Sequence, residues 1–192
     1  MDKKLSTPGA EPSAARRRVI DTATRLFYGE GIRAVGIDRI IAEADVAKAT
    51  FYNHFPSKDD LVLAYIEEQD EKGRAAVAAL PAKSPREMIF AVMARIGDAA
   101  AARDWRGCPF INAAAEYTDP NSAVRQAIDA RRAWYRGVLR KHLTADSDPT
   151  PSLTAALLVA MSDGLLESSY LDDPKKIPEL TREAVTRLLA RR

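Results

Sequence analysis

IRAVGIDRIIAEADVAKATFYNHFPSK, residues 32–58, is the stretch of sequence that decides the fold. Its first half repeats apolar residues every three or four positions, as one face of an α-helix does: Ile37, Ile40, Ile41 and Ala44. Gly36 stands where the N-cap of that helix belongs. Asp45 is the predicted end of the helix, because aspartate tolerates the left-handed backbone that a short turn requires.

A second short helix is predicted from about Ala47 to Phe55. Val46, Phe51 and Phe55 are expected to face inward, since a helix this short is stable only when it docks on its neighbours. The remaining side chains offer an ammonium, a hydroxyl, a phenol and an amide: Lys48, Thr50, Tyr52 and Asn53. Such groups bond phosphate oxygens and base edges. Two helices joined by a tight turn therefore indicate a DNA-binding helix-turn-helix.

The longer run ATRLFYGEGIRAVGIDRIIAEADVAKATFYNHFPSKDDLV resembles the DNA-binding domain of the tetracycline-repressor (TetR) family, over about Arg17 to Ala64. The likeness is carried by a helix ending in LF-x-x-x-G, by the turn region IIAEADV and by TFYNHF-x-SK-x-x-L. It implies that Val46 to Phe55 hold the end of the turn and the recognition helix. The predicted DNA-binding residues are Arg17, Lys48, Ala49, Thr50, Tyr52, Asn53, His54 and Lys58.

Three features depart from the usual pattern of the family, the third of them a pair of residues. Asp45 replaces a turn glycine, Ala47 replaces a serine or threonine that begins the recognition helix, and Tyr52 and Asn53 replace two aromatic residues before the histidine. Ala47 lacks the hydroxyl that would cap the helix, a loss of about 1 kcal/mol. We expect these changes to alter which bases are read.

Length, charge and cysteine content narrow the class of protein. The 192 residues are enough to bury a substantial core, and the formal net charge is only +2. DNA binding should therefore depend on a local patch of charge. A single cysteine excludes an internal disulfide framework and fits a reducing compartment. The sequence contains no apolar run of 18 residues and no signal-peptide pattern, so the expected location is the cytoplasm.

The expected fold is all-α, because no stretch alternates apolar and polar residues with a period of two. Residues 1–13 are rich in charge, proline and glycine and are predicted to be a disordered arm. Residues 14–60 are predicted to form a three-helix DNA-binding domain. Residues 61–192 are predicted to be helical, and the resemblance implies that they bind a ligand and dimerise. Capping boxes at Ser57 to Asp60 and Ser84 to Glu87 should begin two of the helices.

The run LTAALLVAMSDGLLESSY, residues 153–170, is apolar on almost every side. A helix of this kind is buried on more than one face, which implies a partner. Small residues at four-residue spacing permit close approach of a second helix: Ala156, Ala160 and Gly164. A last amphipathic helix, residues 178–192, should point Leu180, Ala184, Val185, Leu188 and Leu189 inward. The resemblance implies a homodimer formed through these last two helices.

Aromatic residues and methionines between Tyr65 and Met161 are mostly core candidates, but the resemblance implies a small-molecule cavity among them. A few polar groups are needed to orient a ligand in such a cavity. The predicted ligand-binding residues are Met93, Trp105, Phe110, Asn112, Glu116, Trp134, Met161 and Asp163. Acidic residues in the wall would suit a cationic or hydrogen-bonding ligand.

Catalysis is not expected, and neither a metal nor a cofactor is predicted. His54 and His142 lie outside any nucleophile–base arrangement, and no His/Cys cluster has metal-ligand spacing. Cys108 has two interpretations. It is either a buried inert thiol or a redox or electrophile sensor whose pKa is lowered by a helix N-terminus with Arg103 and Arg106 nearby.

The function that fits best is a homodimeric, ligand-released repressor that binds double-stranded operator DNA with a pseudo-palindromic sequence. Three alternatives stay open: a redox-gated repressor working through Cys108, a nonspecific nucleoid-type DNA binder, and a small-molecule carrier or enzyme with a vestigial DNA-binding head. Each predicts a different result for DNA binding on oxidation, on random duplex or in the presence of ligand.

Overall fold

The computed structural model describes residues 13–100 and 105–190, which form α-helices, one short 3-10 helix at Pro174–Lys176 and no strand. This confirms the all-α prediction. The helices are α1 (Ala14–Glu30), α2 (Ile37–Glu43), α3 (Lys48–His54), α4 (Lys58–Ala78), α5 (Pro85–Ala100), α6 (Pro109–Glu116), α7 (Ala123–Ala145), α8 (Pro151–Leu171) and α9 (Ile177–Leu188). None of the described helices is long and apolar enough to span a membrane.

The chain divides after Tyr65 into two compact units. The predicted domain boundary at residues 60 and 61 stays a prediction, and helix α4 continues through both units. Most of the predicted arm lies outside the described residues. Its last residue, Ser13, instead caps α1, because the Ser13 hydroxyl accepts a hydrogen bond from the Arg16 amide at 3.2 Å.

Helices α1, α2 and α3 surround an apolar core in the first unit. Its fully buried side chains include Val19, Leu26, Phe27, Ile40, Phe51 and Phe55. The start of α4 joins this core, where the rings of Phe27 and Tyr65 meet edge to face with centroids 5.9 Å apart. Val46, expected to face inward, is only half-buried because it lies in the turn.

The turn between α2 and α3 has the backbone that the sequence predicts. Asp45 has φ 49°, in the left-handed region. Arg18 holds this turn from helix α1, since its guanidinium donates to the carbonyl of Ala44 at 3.1 Å and to that of Asp45 at 3.2 Å. These bonds satisfy carbonyl groups that the end of a helix leaves unpaired. They fix the direction in which the chain enters α3.

The two capping boxes differ in detail. At the start of α4 the Ser57 hydroxyl accepts from the Asp60 amide at 3.1 Å, while the Asp60 carboxylate accepts from the Ser57 amide at 2.9 Å. This reciprocal pair confirms the prediction. At the start of α5 the Glu87 carboxylate accepts from the amide of Lys83, one residue earlier than expected.

In the second unit, α5, α7, α8 and α9 pack around a shared core. Its buried members are Val77, Ile89, Val92, Met93, Ile96, Leu139, Leu143, Ala155, Leu158, Val159, Leu165, Ile177, Val185 and Leu189. Arg86 ties three of these helices together. Its guanidinium donates to the Asp146 carboxylate at 2.9 Å and to the carbonyl of Leu189 at 3.0 Å.

The prediction that Leu180 of α9 faces inward is wrong for the single chain, because its side chain is 49 % exposed. It joins other large apolar side chains left in solvent on α8 and at its end: Leu153, Leu157, Tyr170 and Leu171. Ala156, Ala160 and Gly164 are also exposed along α8. These eight residues are called the apolar face below. A second helical surface would have to cover it to remove it from water.

Candidate functional site

The exposed side of α3 is set by two aromatic anchors. Phe51 and Phe55, four residues apart, are buried in the first unit, and their ring centroids are 6.0 Å apart. This fixes the rotation of a helix that has only seven residues. The opposite side presents Lys48, Ala49, Tyr52 and Asn53 to solvent, and we call these four residues the α3 surface. Tyr52 is 41 % exposed, and its ring meets the edge of the buried Phe51 ring with centroids 5.3 Å apart.

Lys48 is engaged by a neighbouring acid. Its ammonium lies 3.0 Å from the Asp38 carboxylate at the start of α2. This hydrogen bond is the main reason that the pKa of Lys48 is raised. Both side chains are well exposed, so the pair is weak and open to exchange. The sequence reasoning missed Asp38, although its position in the first turn of α2 was visible.

The other four predicted DNA-binding residues lie on α1, α3 and α4. Thr50 and His54 are half-buried, and the His54 ring lies 3.0 Å from the Ser13 hydroxyl at the cap of α1. Arg17 forms an ion pair with Asp21 one turn along α1. The Lys58 ammonium lies over the Phe27 ring, 6.0 Å from its centroid.

The second unit contains a cavity of about 430 Å³. Residues from α4 to α8 and from the segment before α6 line it: Gly73, Val77, Val92, Arg95, Ile96, Ala99, Trp105, Cys108, Pro109, Phe110, Ile111, Ala114, Arg125, Ile128, Asp129, Arg131, Arg132, Tyr135, Ser162, Asp163 and Leu166. Three predicted ligand-binding residues, Trp105, Phe110 and Asp163, are among them. The Trp105 indole donates to the Ser169 hydroxyl at 2.7 Å, which fixes its ring.

The other five predicted ligand-binding residues are absent from this described wall. Met93 is fully buried in the core, and Met161 packs against the same core. The Asn112 amide donates to the carbonyl of Arg106 at 2.8 Å, within the turn that begins α6. Glu116 is the last residue of that helix. Trp134 is covered by two guanidinium groups. Spacing along the sequence can assign these residues to helices, but it cannot show which side of each helix faces the cavity.

Arginine is the feature of the wall that sequence reasoning missed. Arg95, Arg125, Arg131 and Arg132 all line the cavity, and the acids among its described lining residues are Asp129 and Asp163. Arg131 is the most enclosed. Its guanidinium carbon lies 4.6 Å from the centroid of the Trp134 ring and 5.4 Å from those of Phe110 and Tyr135. Burial is the main cause that lowers the pKa of Arg131. The dense arginines of α7 were visible in the sequence, but not which of them turn inward.

The sensor interpretation of Cys108 assumed a lowered thiol pKa, and that assumption is wrong. Cys108 occupies the N-cap position of α6 without a side-chain cap hydrogen bond and lines the cavity, and burial raises the pKa of its thiol instead of lowering it. Backbone amides of Phe110 and Ile111 act in the lowering direction without overcoming burial. Arg103 lies outside the described residues, and Arg106 is exposed. A raised pKa favours the unreactive thiol at neutral pH.

Within residues 13–100 and 105–190, no group of three or more His, Cys, Asp or Glu side chains is placed to hold a metal ion. Neither histidine lines the cavity.

Comparison with known proteins gives consistent matches. Residues 19–65 match the family described as "Bacterial regulatory proteins, tetR family". The transcriptional regulator LmrA of Bacillus subtilis is 28 % identical over 158 residues, which cover 78 % of this chain and 83 % of LmrA.

Two solved structures extend the match over more than nine tenths of the chain. The crystal structure of SCO4454, a TetR-family transcriptional regulator from Streptomyces coelicolor, is 40 % identical with a TM-score of 0.88, covering 91 % of this chain and 94 % of that one. The multidrug binding protein EbrR, solved in complex with malachite green, is 27 % identical with a TM-score of 0.72, covering 92 % and 98 %.

Proposed function

The chain belongs to the TetR family of transcriptional regulators, and from that premise we propose that it is a homodimeric repressor that a small molecule releases from a pseudo-palindromic operator. Its homologues regulate transcription, so the chain is a regulator and not an enzyme. The proposal concerns the operator, the dimer, the effector and the sign of regulation. It places the protein in the cytoplasm, where DNA is available.

The α3 surface is the observation that carries the proposal. Two buried phenylalanines hold a seven-residue helix against α1 and α2, and its free side presents an ammonium, a phenol and an amide. Such groups reach phosphates and base edges in the major groove. Arg17, Thr50, His54 and Lys58 flank this surface and would bind the DNA backbone or fix the helix that reads it.

The apolar face supports a homodimer. Members of α8 repeat at spacings of three and four residues, from Leu153 through Leu157 to Gly164, and all are exposed in the single chain. A Cβ added at Gly164 would meet nothing within 4 Å, so the helix is open to close approach there. A two-fold partner using the same face would present two α3 surfaces to half-sites about one helical turn, ~34 Å, apart.

The cavity supports control by a small molecule. Its volume of about 430 Å³ is within the range of ligand sites. The related EbrR is known in complex with malachite green. An effector that binds better to a conformer unable to engage both half-sites lowers DNA affinity by the ratio of its two affinities. Ligand and operator then oppose each other reciprocally.

The test of DNA reading compares the protein's own upstream DNA with random duplex at two salt concentrations. Wild type should prefer the upstream DNA by ~10³-fold or more, since specific binding exceeds nonspecific binding by that margin. Tyr52→Ala should abolish the preference and retain the salt-dependent background. Gln126→Ala, an exposed change on α7, should behave as wild type. If Tyr52→Ala kept the full preference, the α3 surface would not be the reading surface.

A further inference from the structure

Charge is unevenly balanced in the cavity wall. Among the described residues of the wall, four arginines and two aspartates give a formal excess of two positive charges. Arg125 and Asp129 pair at 3.1 Å along α7, and Arg132 binds the Asp163 carboxylate through both terminal nitrogens at 3.1 and 2.5 Å. Both of these aspartates are therefore paired with arginines of the wall. The other two arginines, Arg95 and Arg131, have no acid of the described wall as a partner.

Arg131 shares its acid with another arginine. Its Nε lies 3.1 Å from Oδ1 of Asp70 on α4, but the two atoms are not aligned for a hydrogen bond. The other oxygen of Asp70 already accepts from Arg74 at 2.9 Å. One carboxylate thus faces two guanidinium groups, so these three side chains together carry one positive charge beside the cavity.

The guanidinium of Arg131 also has donors in need of an acceptor. Its Nε and Nη1 are buried and have no hydrogen-bond partner among the described residues. A buried donor without a partner carries a desolvation cost, and the cost is higher for a charged group. A bound anion would remove that cost, because the planar fork of a guanidinium binds a carboxylate or sulfonate with two parallel hydrogen bonds.

The surroundings hold this guanidinium in place. Rings of Phe110, Trp134 and Tyr135 lie around it. Gly73 lies opposite, where an added Cβ would be 3.3 Å from Nη2 of Arg131. A glycine within a helix makes that helix less stable than an alanine would. At position 73 of α4 the missing side chain gives the guanidinium its space.

We propose that the effector is a small organic anion, an apolar body bearing a carboxylate or sulfonate that Arg131 binds. This inference rests on the proposed function and names the chemical class of its effector. The apolar part of the wall would hold the body: Val77, Val92, Ile96, Phe110, Ile128 and Leu166. Arg95, half-buried and with no ion-pair partner among the described residues, adds a second positive charge to the same wall. An anionic effector is the opposite of the cationic ligand that acidic residues in the wall would have suited.

Two fluorescent dyes with the same body test the proposal. 1-Anilinonaphthalene-8-sulfonate and N-phenyl-1-naphthylamine differ only by the sulfonate. The full-length protein should bind the sulfonate at least about tenfold more tightly, the equivalent of one hydrogen bond to a charged group. Arg131→Gln should remove most of this ratio. Arg131→Lys should keep part of it, because the charge remains but the fork is lost. Arg136→Gln, an exposed change of the same charge on α7, should leave the ratio unchanged.

Two results would overturn the proposal. One is equal affinity of the two dyes for wild type. The other is a ratio that falls equally in Arg131→Gln and Arg136→Gln, which would assign the preference to overall charge. A loosened fold would raise the fluorescence of both dyes together, so the ratio is insensitive to it, and thermal unfolding of each variant checks folding independently.

Release of operator DNA is measured in the same samples. It separates the proposal of ligand-released repression from the proposal that the effector is an anion. An Arg131-dependent sulfonate preference without any effect on DNA binding would support the anion site and contradict ligand-released repression. Release by the cationic dye malachite green, with no sulfonate preference, would support ligand release and overturn the anionic class.

Discussion

At residue 38 an acid lies beside the proposed DNA surface and holds the Lys48 ammonium at 3.0 Å. DNA phosphates would compete with this carboxylate for the same cation, and the carboxylate would repel them. An acidic side chain in this position would therefore lower the affinity of the α3 surface for DNA. The pairing of Asp38 with Lys48 is visible only in the folded structure, since the two residues belong to different helices.

Replacing Asp38 by asparagine should therefore strengthen binding to random duplex by several-fold. The reason is that Lys48 becomes free to bind phosphate, and the salt dependence should steepen by about one phosphate contact. Fluorescence anisotropy over a salt series measures both quantities. Glu179→Gln, an exposed change of the same charge on α9, should have no such effect. Unchanged affinity for Asp38→Asn would place Lys48 away from the DNA.

Cys108 should react slowly with alkylating agents. Because burial raises its pKa, a smaller fraction is thiolate at pH 7 than in a free cysteine, and the rate should rise only at higher pH. The measurement is the pH profile of iodoacetamide labelling of the folded protein against the unfolded chain. A labelling midpoint below that of the unfolded chain would restore the sensor interpretation.

Among the elements, α3 was predicted to within one residue at each end, because Phe51, Phe55 and the turn at Asp45 specify it together. The cavity wall was predicted for Trp105, Phe110 and Asp163 but not for its arginines. Spacing along a helix identifies a face, whereas facing a cavity depends on how several helices pack. Leu180 shows the same limit for α9, since an apolar stripe does not reveal whether its own chain or a second one covers it.

The start of α3 offers a test of helix capping. Ala47 has φ −67° and ψ 144°, the backbone of an N-cap, but no side chain to accept a hydrogen bond. Ala47→Ser should raise the free energy of unfolding by about 0.5–1 kcal/mol, because a hydroxyl can accept from the first turn. Ala49→Ser, inside the same helix, should be neutral or slightly destabilising. Urea denaturation compares them, and equal effects at both positions would contradict the capping account.

Helix α8 offers a test of the dimer. Leu157 is 46 % exposed in the single chain, so Leu157→Glu should leave the monomer folded. In a dimer built on the apolar face it would bury a charge and convert the protein to monomers. Analytical ultracentrifugation measures the oligomeric state, and circular dichroism measures folding. Arg136→Glu, a change at an exposed residue of α7, is the control. A Leu157→Glu variant that stayed dimeric would move the interface elsewhere.

At the scale of the whole molecule, a net charge of +2 gives DNA little general attraction. In the proposed homodimer, specific reading would come from two copies of the α3 surface. Membership of the family was evident from residues 32–58 because a helix-turn-helix depends on local sequence. The anionic class that we propose for the effector was not evident, because that inference depends on pairings between helices far apart in the chain, such as Arg131 with Asp70 and Arg132 with Asp163.

Selection of binding sites from a pool of random DNA duplexes tests the central claim most directly. Wild type should enrich one sequence with two-fold symmetry, whose half-sites lie about one helical turn apart or a multiple of it. The enriched DNA should bind a dimer and lose affinity with Tyr52→Ala. Enrichment of no sequence, or of a single half-site without symmetry, would contradict a homodimeric regulator that reads DNA through α3.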